Sequence, residues 1–323
     1  MRGFLLARAR QAALVLVAVV SLTFALAHAA PGDPFWAIED PQLSTAERDR
    51  LRSEWGYDLP VWKQYVTWLG NFATGDFGWS HSRGQPVVAV LRDAVPNTLI
   101  LMVPAVLIGV LFGVALGTWQ AARDGRATAR AADAATLTFV SIPDFVVALL
   151  ALSVFALQWQ VAPASGMVDP VFHDSMPALG RVLDVASHLW LPAGTLALLI
   201  AAAVSRYQRV AVLGVLHELY IQTARAKGAS ERITILRHAV PNALGPVIAI
   251  GGLLFPTMFA GAVFVEKIFA WPGMGLTIVD AVAGRDYALV QAIVVTGTVL
   301  VLVANTAADV IASIVNPRTR LEA

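Results

Sequence analysis

Residues 223–241 read TARAKGASERITILRHAVP, a charged and punctuated stretch in a chain that is otherwise overwhelmingly apolar. Just before and into it, Leu216 to Lys227 contains good helix formers, with Leu216, Leu219, Tyr220, Thr223 and Ala224 on one face. Gly228 suits the left-handed position that ends a helix, where a Cβ would be penalised. Ser230 can cap a second helix whose first turn carries Glu231, favourable at the positive end of the helix dipole. Ile233, Leu236 and Val240 continue as an apolar stripe, and Pro241 is expected to end it. The stretch therefore reads as helix, sharp turn, helix, with no reactive constellation. From the residues alone it is either a moving or docking element, or a basic loop that merely follows the charge rule of membrane insertion.

Outward from this stretch the chain is membrane-like. Of 323 residues 57% are hydrophobic and 14% charged, against roughly a quarter charged in soluble proteins. A helix needs about 20 predominantly apolar residues to cross a bilayer. Six stretches qualify: 11–30, 95–121, 134–158, 189–204, 243–265 and 287–313. An even number puts both termini on one side. The segments on that side carry 14 basic and 5 acidic residues, and those on the other side 9 and 15, so both termini are expected in the cytoplasm. The first span has a rival reading as a signal peptide, with a basic start and AHA at 27–29 as a cleavage site, but its apolar run is long for that role. Trp119, Trp159, Trp190 and Trp271 fall at or near span ends, where an amphipathic ring prefers the headgroup zone. The chain has no cysteine, which excludes disulfides, thiolate metal sites and a cysteine nucleophile.

Residues 31–94 form the one sizeable segment outside the spans, expected on the outer side. Ser44 with Glu47 makes a capping box, Gly56 can stop the helix that follows, and Val61, Tyr65, Trp68 and Phe72 predict an amphipathic helix after Pro60. This segment is either a cap or dock for an external partner, or a small packed hairpin. Gly109, Gly113 and Gly117 recur every four residues, a spacing that lets two helix backbones approach closely; the partner helix cannot be named from the pattern.

The loop that opens this section resembles a known family. In the cytoplasmic loop of bacterial ABC importer permeases the pattern is EAA, three residues, Gly, nine residues, then I-x-L-P. Gly228 and Pro241 fall at that spacing with Ala224 and Val240 in register, whereas Gln222-Thr223 replaces Glu-Ala and His238 replaces the isoleucine. YIQTARAKGAS, LRHAVPNAL, APGDP at 30–34, GDFGWS at 75–80, SIPDF at 141–145, PASG at 163–166 and VEKIFAWPGMG at 265–275 are similar to the oligopeptide- and dipeptide-permease B subunits. The resemblance implies an all-α polytopic membrane protein with six transmembrane helices and the type I ABC importer permease fold. It divides the chain into a tail and first helix (1–30), an extracytoplasmic segment (31–94), a five-helix core (95–313) with coupling helices at about 215–241, and a cytoplasmic tail (314–323). It also implies that Thr223, Ala224, Arg225, Lys227, Gly228, Ser230, Val240 and Pro241 couple the chain to an ATPase. The implied partners are a second permease, two ATPase subunits that bind ATP and Mg, an external substrate-binding protein and the lipid bilayer of the bacterial plasma membrane, with no nucleic acid. The chain itself lacks the G-x-x-x-x-G-K-[ST] phosphate loop, so nucleotide must bind elsewhere. Arg225, Lys227, Arg232 and Arg237 either pair with acidic groups on the ATPase or form a solvated face.

Asp144 follows Pro143 about ten residues into the third span. A carboxylate at that depth marks either the pore or a hydrogen-bonded structural site beside a proline-freed carbonyl. Asn305 and Asp309 share a helical face and are expected to link helices. The six histidines show no metal spacing, and no catalytic residue is expected. Other readings remain. A secondary transporter would need coupling-ion sites near the midplane, and only Asp144 is placed for one. An intramembrane hydrolase would need a nucleophile and base in facing spans, which are not evident. Within the resembled family the solute is open among dipeptides, longer peptides, nickel chelates and other small molecules.

Overall fold

The computed structural model describes the backbone of residues 2–29 and 59–315, and side chains at 8–29, 59–248 and 259–310. The capping box at Ser44 and Glu47, the Gly56 stop, the APGDP motif and the tail from 316 onward lie outside the described residues. Among the described residues the regular structure is helical apart from one two-stranded hairpin. Among the described residues four helices are long and apolar enough to cross a membrane: Arg8–Ala29, Val87–Ala122, Ala178–Leu216 and Tyr287–Val310. Ala127–Ser141 and Asp144–Gln158 form a fifth if counted together across their 105° bend. The expected sixth, 243–265, falls on the 29-residue helix Val240–Ile268.

The chain divides into two compact units, Met1–Pro96 with Thr277–Leu302 and Asn97–Leu276 with Val303–Ala323. In the first, α1 (Arg2–Ala29) is joined by α2 (Val61–Ala73), which follows Pro60 as the pattern requires. Tyr65 and Trp68 meet Phe24 of α1 at ring-centroid distances of 5.2 and 5.4 Å, and the Ser21 and Tyr65 hydroxyls share a 2.7 Å hydrogen bond. Val61 lies off this face and is exposed. Strands β1 (Trp79–Ser80) and β2 (Gln85–Pro86) pair antiparallel around Gly84. Asp286 is buried and fastens this hairpin: its Oδ2 accepts from Ser80 Oγ (2.6 Å), Ser82 Oγ (2.8 Å) and Ser82 N–H (3.1 Å). Its Oδ1 accepts from Leu289 N–H at 3.1 Å, which caps the start of α11 (Tyr287–Val315).

The second unit holds most of α3 (Val87–Ala122), then α4 (Ala127–Ser141), α5 (Asp144–Ala151) with the π-helical run Leu152–Gln158, and α6 (Ala178–Leu216). It continues through α7 (Leu219–Ala226), α8 (Glu231–Ile233) with a second π-helical run Thr234–Ala239, α9 (Val240–Ile268) and the start of α10 (Met274–Ala283). Leu101, Met102, Ala148, Leu191, Val265 and Phe269 form the centre of its core. The glycine repeat finds its partner here. A Cβ on Gly109 would lie 2.6 Å from Ile200 Cβ, and one on Gly113 would lie 2.6 Å from Val204 Cβ. One on Gly117 would strike the Ser205 carbonyl. The close-approach surface is therefore α6 of the same chain, where Ala193, Ala197, Ala201 and Ser205 repeat at the same four-residue spacing.

Three expectations are corrected. The stretch expected at 189–204 is only part of a 39-residue helix that continues through Pro192. The third span is not straight, because Pro143 holds an extended conformation (φ −57°, ψ 137°) and its ring restricts Ile142 as well, so the helix stops at Ser141 and restarts at Asp144. Trp271 is not an interfacial ring: it is fully buried and its Nε1–H donates to Asn97 O at 2.8 Å. Trp159 and Trp190 are exposed, and Trp119 lies under the Arg123 guanidinium at 5.1 Å.

Candidate functional site

The 219–241 stretch folds as two helical pieces about one tight turn. Helix α7 ends in a Schellman arrangement, with Gly228 N–H donating to Arg225 O (2.9 Å) and Ala229 N–H to Ala224 O (3.1 Å). This closure requires φ > 0 at Gly228, which is +85°. Ser230 immediately caps the next piece, its Oγ accepting from Ile233 N–H at 3.4 Å. Arg225 reaches across the turn to Glu231 at 2.8 Å. This exposed pair is worth at most about 1 kcal/mol, so the backbone closure, not the ion pair, makes the turn rigid.

The apolar residues divide unexpectedly. Ile221, Ile235 and Ala239 are buried, and Ile221 and Ala239 pack with Ala121, Val212 and Ala243 at the base of the bundle. Leu219 is 77% exposed and Leu236 55%, and Tyr220 and Ile233 are also open, so most of the face assigned to packing is unpartnered in this chain alone. Burial, with the Glu218 carboxylate nearby, pushes the Tyr220 phenol up from its ordinary pKa. Thr223, Arg225, Lys227 and Ser230 are exposed, while Ala224 and Val240 are half-buried.

Two boundaries differ from expectation. Leu216 ends α6, and the break falls at His217–Glu218. Pro241 does not end the second helix. It occupies the first turn of α9, where a missing N–H is tolerated, and the π-helical run before it already departs from the α ladder. Backbone helicity is thus unbroken from Glu231 to Ile268.

Asp144 lies at the first position of α5 rather than mid-helix. Its carboxylate overhangs Gly261 of α9 so closely that a Cβ there would lie 2.5 Å from Oδ2. It is half-exposed, and among the described residues it takes no hydrogen bond. Asn305 and Asp309 are half-buried on α11, and the Asn305 Oδ1 has no hydrogen-bond partner among the described residues.

The sequence reading missed three charged groups that organise the second unit or its neighbour. Glu266, inside the VEKIFAWPGMG motif, is fully buried and accepts from Thr98 Oγ1 (2.7 Å), Gly275 N–H (2.6 Å) and Leu276 N–H (3.1 Å). Gly273 and Gly275 make room for it, since a Cβ on either would lie within 2.9 Å of the carboxylate. Arg209 of α6 joins Asp124 at 2.9 Å and Asp133 at 3.5 Å, tying α6 to the α3–α4 connection and to α4. Asp286 fastens the hairpin described above. Each looked like an ordinary charge beside a span; only the two glycines around Glu266 signalled anything more. Among the described residues no cluster of His, Asp or Glu is arranged to hold a metal.

Comparison with known proteins supplies the context for this arrangement. The model of the binding-protein-dependent transport system inner membrane component matches residues 105–321, and the corresponding N-terminal model matches 1–102. The oligopeptide transport system permease protein AppB of Bacillus subtilis is 35% identical over 319 residues, covering 98% of this chain and 99% of the relative. The dipeptide transport system permease protein DppB of Escherichia coli K12 is 33% identical, covering 99% of each. Among solved structures, an inward-facing MetNI methionine ABC transporter chain superposes with a TM-score of 0.57 at 18% identity, covering 70% of this chain and 96% of that one. The likeness in structure is one of fold, and the sequence matches over nearly the whole length carry the assignment: this chain belongs to the family of binding-protein-dependent transport system inner membrane components.

Proposed function

We propose that this chain forms half of the translocation pore of an ATP-driven importer of di- or oligopeptides. It works with a second permease, two ATPase subunits that bind ATP and Mg, and an external binding protein that delivers the solute. The observation that carries this reading is the rigid helix-turn-helix at 219–241. It presents Leu219, Tyr220, Ile233 and Leu236 without a partner, and it is continuous with α9. Such an element suits a groove on another subunit, because exposed apolar groups beside basic ones are stabilised by burial against a complementary surface. The oligopeptide and dipeptide permeases it resembles support the solute class. Charge bias along the sequence supports placement in the bacterial plasma membrane with both termini and this loop in the cytoplasm, residues 31–94 outside, and 95–313 as the transporting core.

Within the core, Asp144 lines the path. Its carboxylate is unpaired among the described residues and overhangs a glycine, as a group that meets a passing solute would be. Asn305 and Asp309 act structurally within the bundle. The test is to purify the chain from its native membrane, identify what copurifies, and measure which peptides stimulate ATP hydrolysis by the complex. Copurification of ATPase subunits with peptide-stimulated hydrolysis is the expected result. Uptake that persists without ATP but collapses with the ion gradient would replace this reading with a secondary transporter.

A further inference from the structure

A cavity of about 340 Å³ lies between the end of α1, α2, the 76–81 turn and the start of α11, entirely within the first unit. Its walls include the rings of Phe24, Trp68, Phe77, Trp79 and Tyr287. Three of them are connected, since Trp68 meets Phe24 at 5.4 Å and runs through Phe72 (5.2 Å) to Phe77 (4.4 Å). Among the described lining residues Asp76 is the one carboxylate, and no described lysine or arginine joins it. Its Oδ1 accepts from Gly78 N–H at 3.0 Å, which fixes the carboxylate, and among the described residues Oδ2 takes no hydrogen bond. Gln291 donates its Nε2 to Thr23 O at 3.4 Å, which turns its amide oxygen toward acceptor duty. His28, also on the wall, directs its ring nitrogens to Phe24 O and Gln64 Oε1, both at 3.1 Å.

Aromatic faces carry negative potential and attract ammonium groups placed over them. A carboxylate held at the rim adds a charge-assisted hydrogen bond. We propose that this cavity binds the primary ammonium group of a small organic molecule, with the rings as its cage and Asp76 as its counter-charge. The volume is at the lower end of the roughly 300–1,000 Å³ typical of ligand sites. It suits a lipid headgroup or one terminal residue of a peptide, not an extended chain. On the proposed topology the cavity lies at the outer face, where both an aminophospholipid headgroup and a free amine are at hand.

The experiment reconstitutes the full chain in nanodiscs made with phosphatidylglycerol alone or with added phosphatidylethanolamine. Calorimetric titration in phosphatidylglycerol discs uses alanyl-alanine and N-acetyl-alanyl-alanine, which lacks the ammonium. Native mass spectrometry reads retention of phosphatidylethanolamine. Binding of the free dipeptide but not its acetylated form assigns a soluble amine; selective retention of phosphatidylethanolamine assigns the headgroup; either supports the site. Asp76→Asn keeps an acceptor for Gly78 N–H and is expected to weaken binding about tenfold. Trp68→Leu removes part of the cage and is expected to weaken it as well. The proposal is overturned if neither probe binds, if the free and acetylated dipeptides bind equally well, or if binding survives both substitutions unchanged.

Discussion

Gly228 offers the sharpest test of the helix-turn-helix. Its φ is +85°, and nothing lies within 4 Å of the point where a Cβ would be built. A substitution there therefore meets backbone strain without collision. A left-handed conformation costs a residue with a Cβ roughly 1–2 kcal/mol, more for a β-branched side chain and less for asparagine. One to two kcal/mol is a factor of roughly 5–30 in an equilibrium. Gly228→Val is expected to depopulate the closed turn by at least that factor, while Gly228→Asn retains most of it. With the partner ATPases in proteoliposomes, the valine variant should insert normally but lose most peptide uptake and most peptide-stimulated ATP hydrolysis. The asparagine variant should keep both. Normal uptake by Gly228→Val would refute the requirement for a closed turn. Equal failure of both variants would also refute the backbone argument, because it would trace the effect to side-chain bulk at a contact instead.

Three further outcomes follow from packing. Gly113→Ala places a methyl 2.6 Å from Val204 Cβ and should destabilise the chain by about 1–3 kcal/mol. Gly194→Ala, with nothing within 4 Å, should be neutral or stabilising by up to about 1 kcal/mol; thermal unfolding in detergent separates the two, and equal Tm shifts would remove the close-approach argument. Gly261→Ala should impair transport by displacing the Asp144 carboxylate, and combining it with Asp144→Ala should relieve the clash, so strict additivity in stability would show that the two sites are uncoupled. Glu266→Gln turns an amide toward donors that now meet a carboxylate and should cost about 1–3 kcal/mol; an unchanged unfolding midpoint would show that those bonds do not matter.

What the sequence made legible was local chemistry. Gly228 and Ser230 were readable because a left-handed stop and an N-cap are each decided within about four residues. Pro241 was misread because a proline marks either the end or the beginning of a helix, and the choice depended on the preceding π-helical run, which has no sequence signature. The glycine repeat announced a close approach, and the matching repeat of Ala193, Ala197, Ala201 and Ser205 was there to be read as its partner but went unnoticed in an alanine-rich span. Glu266 escaped notice for a related reason. Its burial depends on Thr98, 168 residues away, and on two glycines whose purpose is visible only once the carboxylate is in place. Asp144 was expected about ten residues into one span, yet it starts a separate helical piece, because one proline divides that stretch in two.

The unbroken helicity from Glu231 to Ile268 also has a mechanical meaning. With no loop between the turn and α9, a displacement at Gly228 is not absorbed by slack chain. The π-helical run Thr234–Ala239 is the one place where the register differs from the α ladder. Accommodating or removing one residue there rotates everything beyond it by about 100° and shifts it by about 1.5 Å. On the proposed coupling role the element would act as a screw rather than a hinge, a small axial pull at one end turning the backbone beyond the run.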